Sequence, residues 1–198
     1  EADPLGTGWF QSPSGLVGAW TGTVWHGGSR GAKMGSTSNL HETVRQDILV
    51  PSNATSAVFE GWYTLSSFEF LAGYDYLYMW AFNKNDPTEE FCLIIKDPVV
   101  SGTTGTWTKL SCDISVARGK TVTIAFGVVN DSLYLTVANV DDVSVVFEKP
   151  DVTAPTTTLS SIPSVPNGSN SFYTTIPTIT LSVSDDVGGS GVDKPFYT

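Results

Sequence analysis

Basic charge is what this chain has least of. Ten Lys and Arg stand against 20 Asp and Glu, for a formal net charge of −10 and a pI near 4.4. Nucleic-acid binding needs a basic footprint, and this composition offers none; docking on an anionic membrane is excluded on the same ground. Charge of either sign is scarce, at 15% of residues, while Thr, Ser, Gly and Val are plentiful. That mix suits short strands joined by turns and argues against helical bundles. No stretch shows a convincing helical period, and no run of about 18 apolar residues offers a membrane span. No secretory leader is visible; Glu1 is compatible with a mature or trimmed start, so this says little about secretion.

Histidine and cysteine number two each. His26 and His41 lack metal-site spacing, and two cysteines without histidine partners are too few for zinc. Cys92 and Cys112 fall in strand-like segments, which leaves two readings open, a disulfide between neighbouring strands or two buried thiols. G-x-S-x-G, H-E-x-x-H and P-loop signatures are all missing. Glu60, Glu69, Glu89, Glu90 and Asp97 show no spacing that singles out a glycosidase pair. The expectation is that the chain is not an enzyme. An acidic, weakly charged chain suits an extracellular protein, one able to hold calcium through oxygen ligands.

What is there in abundance is alternation. Candidate strands are 43–50, 56–65, 75–82, 91–96, 107–113, 120–129 and 133–147, separated by turn signals such as Asn83-Lys84-Asn85-Asp86-Pro87 and Asn130-Asp131-Ser132. Residues 1–36 read as loops with one or two short strands. Such spacing predicts an all-β sandwich or jelly roll. In Tyr74-Asp75-Tyr76-Leu77-Tyr78-Met79-Trp80-Ala81-Phe82 successive side chains point to opposite faces, so Tyr74, Tyr76, Tyr78, Trp80 and Phe82 share one face and Asp75, Leu77, Met79 and Ala81 the other. In 121–129, Val122, Ile124, Phe126 and Val128 read as core; Thr121, Thr123, Ala125 and Gly127 are small, leaving room for a shallow groove if that strand borders an aromatic one.

A ladder of aromatic rings is a platform for the flat C–H faces of sugars. Tyr76, Tyr78, Trp80 and Trp62 are the candidate ligand-binding residues, with Asn83, Glu60 and Gln46 as polar partners. The competing reading packs these rings under loops 9–30, where Trp9, Trp20 and Trp25 need cover. Trp107 reads as a strand-initiating core residue. Near Lys149 the composition shifts, and Pro150, Pro155, Pro163, Pro166 and Pro177 recur among Thr and Ser. Boundaries follow: a first domain over 1–148, a stiff linker over 149–156, and a second unit over 157–198 with one clear alternating strand at 178–184, too short for a complete sandwich.

Three pieces taken together, the start from Glu1 to Trp9, the middle over Tyr74 to Tyr78, Gly105 to Ser115 and Gly119 to Phe126, and the end Val140-Asp141-Asp142-Val143-Ser144-Val145, resemble the extracellular jelly-roll modules of the MAM-like and carbohydrate-binding-module type. The segment from Asp151 to Thr158, with Thr180 to Asp186, is similar to the immunoglobulin-like repeats of bacterial and archaeal surface proteins. The first resemblance implies one structural calcium, with Glu1 and Asp141 or Asp142 as ligands; Asp141 shares the parity of Val143 and Val145, so it is expected to point inward. Together the resemblances imply a jelly-roll β-sandwich followed by a partial immunoglobulin-like β-sandwich. The expected role is a secreted or cell-surface module that binds glycan or polysaccharide. The alternative is a structural subunit of a surface layer, filament or adhesin, assembling with other surface-protein domains or with copies of itself by strand complementation.

Overall fold

The computed structural model describes residues 8–13, 20, 21 and 24–185. It divides into two units, Glu1–Lys149 and Pro150–Thr198. Among the described residues ten strands build the first: β1 (Trp9–Ser12), β2 (Trp20–Thr21), β3 (Gly31–Met34), β4 (Leu40–Leu49), β5 (Ser56–Ser67), β6 (Tyr76–Asn83), β7 (Asp86–Lys96), β8 (Thr108–Asp113), β9 (Thr121–Asn130) and β10 (Thr136–Glu148). A one-turn helix, α1 (Pro98–Ser101), is capped by the Asp97 carboxylate. The strands form two antiparallel five-stranded sheets, ordered β1-β4-β9-β6-β7 and β2-β3-β10-β5-β8. From β4 to β10 the chain alternates between the sheets, returning to the same sheet only at the β6–β7 hairpin, whose turn is Lys84-Asn85 between paired Asn83 and Asp86. This is an all-β, jelly-roll-type sandwich, as the alternation predicts. All seven strands expected between 43 and 147 are present within a few residues, and three short strands come from the N-terminal segment.

Alternation fixes what each strand gives to the core. Leu77, Met79 and Ala81 of β6 are fully buried, as are Val122, Phe126 and Val128 of β9. From the other sheet come Phe59 and Leu65 of β5 and Ala138 and Val140 of β10. Phe59 meets Phe126 edge-on, ring centroids 5.6 Å apart, joining the two layers. Gly61 makes room for this, because a Cβ there would lie 2.8 Å from the Phe126 ring. Cys92 of β7 and Cys112 of β8 form a disulfide, which fastens the edge strand of one sheet to the edge strand of the other.

The pairing of β10 with β5 slips between Asp141 and Ser144. Asp142 sits there at φ 47°, an extra residue in a left-handed conformation, which is a β-bulge. Val140 and Val143 therefore both turn toward the core, and Asp141 faces away from it, opposite Trp62. The bulge thus overturns the parity expected for Asp141.

The described part of the second unit is a two-stranded antiparallel sheet, β11 (Thr156–Ile162) with β12 (Thr178–Ser184), and a short 3₁₀ turn at Ser169–Ser171. The alternating strand expected at 178–184 is in place.

Candidate functional site

The outer face of the first sheet is laid out by strand register. One row crosses it as Phe10, Arg45, Ala125, Trp80 and Leu93; the next crosses as Ser12, Thr43, Gly127, Tyr78 and Ile95. Phe82 stands beside Thr123 and Asp47, and Tyr76 beside Val129 and His41. The ladder therefore does point away from the core, and β9, with its small outward residues, is its neighbour. Tyr74 does not belong to it: β6 begins at Tyr76, and Tyr74 lies exposed in the preceding loop.

The rungs have different roles. Tyr78 lies flat on the sheet, 7% exposed. A Cβ on Gly127 would come within 2.2 Å of its hydroxyl, so only glycine admits this ring. That hydroxyl is hydrogen-bonded to Thr43 Oγ1 and to His41 Nε2, each at 2.6 Å. Burial pushes the Tyr78 phenol above its ordinary pKa, and the Thr43 hydrogen bond opposes this. Tyr78 is thus a fixed floor. Trp80 is half-buried, packs against the Phe82 ring with centroids 4.2 Å apart, and keeps a buried Nε1 without a hydrogen-bond partner.

Beside these rings is a hollow of about 180 Å³ between Trp80, Phe82 and Tyr78 on one side and Thr43, His41 and Arg45 on the other. A second of about 300 Å³, lined by Phe10, Asp47, Lys84 and Thr123, shares Arg45 and Phe82 with it. The two make one shallow groove across the sheet. Arg45 is exposed and offers a planar fork of donors to both halves. Asp47 is fixed by Lys84 at 2.8 Å and by the Thr123 hydroxyl at 2.7 Å. Burial raises its pKa, but the hydrogen bonds from Lys84 and Thr123 outweigh burial and hold it below the usual carboxylate range. The groove thus joins aromatic surface to fixed polar groups, a chemistry suited to a ligand with both apolar and hydroxylated faces.

Trp62 is not part of this groove. It lies on the outer face of the other sheet, where the His26 ring stacks on it at 4.1 Å and Trp107 meets His26 edge-on. Trp107 accordingly flanks this cluster and is outside the core. The expected polar partners are engaged elsewhere. Glu60 pairs with Lys109 on the second sheet, Asn83 binds Glu89 and the Asn85 amide in the β6–β7 turn, and Gln46 has the inward parity of Val44. Most of the groove's polar residues come instead from β4, as His41, Thr43, Arg45 and Asp47, joined by Thr123 of β9 and Lys84 of the β6–β7 turn. Alternation against Val44 and Ile48 was the available signal, but nothing in the sequence sets β4 two strands from β6.

Of the residues expected to hold calcium, Glu1 lies outside the described residues. Asp141 and Asp142 hold the His26 loop: Asp141 Oδ2 accepts the amides of His26 and Gly27, Oδ1 accepts the Asp142 amide, and Asp142 Oδ2 accepts from His26 Nδ1. Three of their four carboxylate oxygens are thereby occupied by the chain itself.

No family model and no curated protein matches the chain. Solved structures do. The chain is similar to the carbohydrate-binding module TmCBM61, solved in complex with β-1,4-galactotriose, at 14% identity and TM-score 0.51, covering 72% of this chain and 90% of that one. It is also similar to a structure described as a carbohydrate-binding module from the β-sandwich superfamily, at 17% identity and TM-score 0.45, over 70% of this chain and 57% of that one. A further similarity is to the K3 cleaved adhesin domain of Lys-gingipain from Porphyromonas gingivalis W83, at 13% identity and TM-score 0.44, over 61% and 75%. At these identities the likeness concerns the fold.

Proposed function

We propose that this chain is a non-catalytic, extracellular carbohydrate-binding module that holds a glycan in the groove on the outer face of its first sheet. The carrying observation is the pairing of Trp80 and Phe82 with Arg45 and Thr43 across the low floor at Ala125. Aromatic faces take the C–H side of a pyranose ring, and the guanidinium and hydroxyls meet its hydroxyl groups. Exposed Phe10, Leu93 and Ile95 extend the apolar surface along the same rows, giving a chain of sugars somewhere to run. TmCBM61, which shares the fold, binds a linear galactotriose. The carboxylate in the groove, Asp47, is held ionised by Lys84 and Thr123, which suits hydrogen-bond acceptance and not acid catalysis. The Cys92–Cys112 disulfide supports an oxidising, extracellular setting. Calcium enters this reading as a stabilising ion.

The test is a glycan and polysaccharide panel with calcium present. Saturable binding is expected, lost in Trp80→Ala and weakened in Arg45→Ala, with Trp62→Ala near wild type. Binding indifferent to Trp80→Ala removes the groove from consideration.

A second reading rests on the second unit. Leu159 and Ile179 of its two-stranded sheet are 69% and 63% exposed, more apolar surface than an isolated hairpin carries stably. Added strands from a neighbouring surface-protein domain or another copy would complete it as an immunoglobulin-like spacer. Concentration-dependent self-association in analytical ultracentrifugation supports this; a strict monomer counts against it.

A further inference from the structure

Asp75 is the last residue before the ladder strand, and its parity turns it inward. It is fully buried. Its Oδ1 accepts the Asp131 amide at 2.7 Å; Oδ2 is buried and makes no close hydrogen bond, although the Thr136 hydroxyl, which also meets Ser67 Oγ at 2.7 Å, stands beside the carboxyl. Two more carboxylates converge on it. Glu69, in the loop after β5, uses Oε1 to accept the amides of Phe70 and Leu71; Asp131, just after β9, uses Oδ1 to accept the Leu133 amide. Each carboxylate is therefore fixed through one oxygen and retains another. Ligand oxygens of the three lie within 4.8 Å of one another. Among the described ion pairs none reaches these residues. Three like charges at this range repel, and a buried carboxylate oxygen without a close hydrogen bond is costly.

We propose that Glu69, Asp75 and Asp131 form a calcium site that ties the loop before β6 to the loops after β5 and β9. The donors are all carboxylate oxygen, which selects hard cations over zinc or copper. Calcium binds oxygen at roughly 2.3–2.6 Å, so two of its ligands lie up to about 5 Å apart; magnesium, at roughly 2.0–2.1 Å, draws them closer. Glu69 and Asp131 are half-buried, which leaves coordination positions for water on the outer side. The loops concerned are already in contact, since the Phe70 ring meets Tyr134 edge-on at 5.2 Å. Their tips expose Phe68 and Leu133, and that apolar rim favours a fastened loop pair over two separate ones. The ion would hold Asp75, and with it the first residue of the ladder.

The experiment is calorimetric titration of the chelator-treated full chain with calcium chloride, with melting followed in parallel. The expected result is one saturable site for this cluster and a melting temperature raised by calcium. Asp131→Asn and Glu69→Gln keep the amide contacts and the fold by circular dichroism, and each weakens calcium binding about tenfold or more. Asp142→Asn leaves it unchanged. No calcium uptake up to roughly 10 mM, beyond the weakest extracellular sites, overturns the proposal and leaves Asp75 as a protonated, buried carboxyl. Calcium binding that survives both substitutions, or that is lost in Asp142→Asn instead, also overturns it. Glycan binding through Trp80 is a separate readout and stands or falls independently.

Discussion

Tyr78 shows how one residue's surroundings turn an apparent ligand-stacking ring into a support. Its neighbour across the sheet is a glycine, its hydroxyl is engaged by Thr43 and His41, and only a sliver of it reaches solvent. The consequence is readable by titration. Burial raises the Tyr78 phenol, and burial raises Tyr63 as well. A phenol with a higher pKa folded than unfolded binds its proton more tightly in the native state. Its stabilising contribution is therefore fully present below about pH 10 and is lost as pH rises through the folded-state value. Denaturant melts stepped from pH 8 to pH 11 should show stability falling above about pH 10. Tyr78→Phe should cost about 1 kcal/mol at pH 8, from the lost hydrogen bonds, and should flatten the alkaline fall. An unchanged alkaline slope would mean that Tyr78 already titrates as an exposed tyrosine. At this scale the sequence showed which side chains share a strand face. It could not show that Gly127 lets one ring lie down while Trp80 stays half-exposed, because that depends on the residue opposite each rung.

Among the strands, β7 and β8 are edge strands of the two sheets, and the Cys92–Cys112 bridge ties them together. A cross-link over 20 residues restrains the unfolded chain by roughly 3 kcal/mol in the chain-entropy account. Reduction, or the double substitution Cys92→Ser with Cys112→Ser, should lower the melting temperature in calorimetry while leaving the far-ultraviolet spectrum of the fold. A melting point equal to the oxidised protein's would show that the core alone sets stability. Strand existence was legible from period-two patterning, as in Val122, Ile124, Phe126 and Val128. The bulge in β10 was not. A left-handed Asp142 leaves no mark on an apolar alternation, yet it moves Asp141 out of the core and under the His26 loop. The inward carboxylate expected at Asp141 is found instead at Asp75.

At the scale of the whole molecule, the buried apolar cluster lies within residues 32–140, and the residues packed against it extend only to Phe147. The first unit thus has a core of its own. Residues 1–149 expressed alone should fold cooperatively, with a melting temperature within a few degrees of the full chain and the same glycan profile. Loss of folding on removing 150–198 would show that the second unit contributes to the sandwich.

The sequence by itself determined the all-β class, the strand list, the composition break near Lys149 and which aromatic side chains share one face of their strand. Each of these rests on local patterning or composition, which the polypeptide carries in any window of ten residues. Tertiary structure alone decided which strands are neighbours. It placed β4 beside β9 and so supplied Arg45 and Thr43 to the groove; it put Trp62 on the opposite sheet from Trp80; and it gathered Glu69, Asp75 and Asp131 from three loops. Those outcomes follow from strand order and register, long-range pairings that no local period encodes.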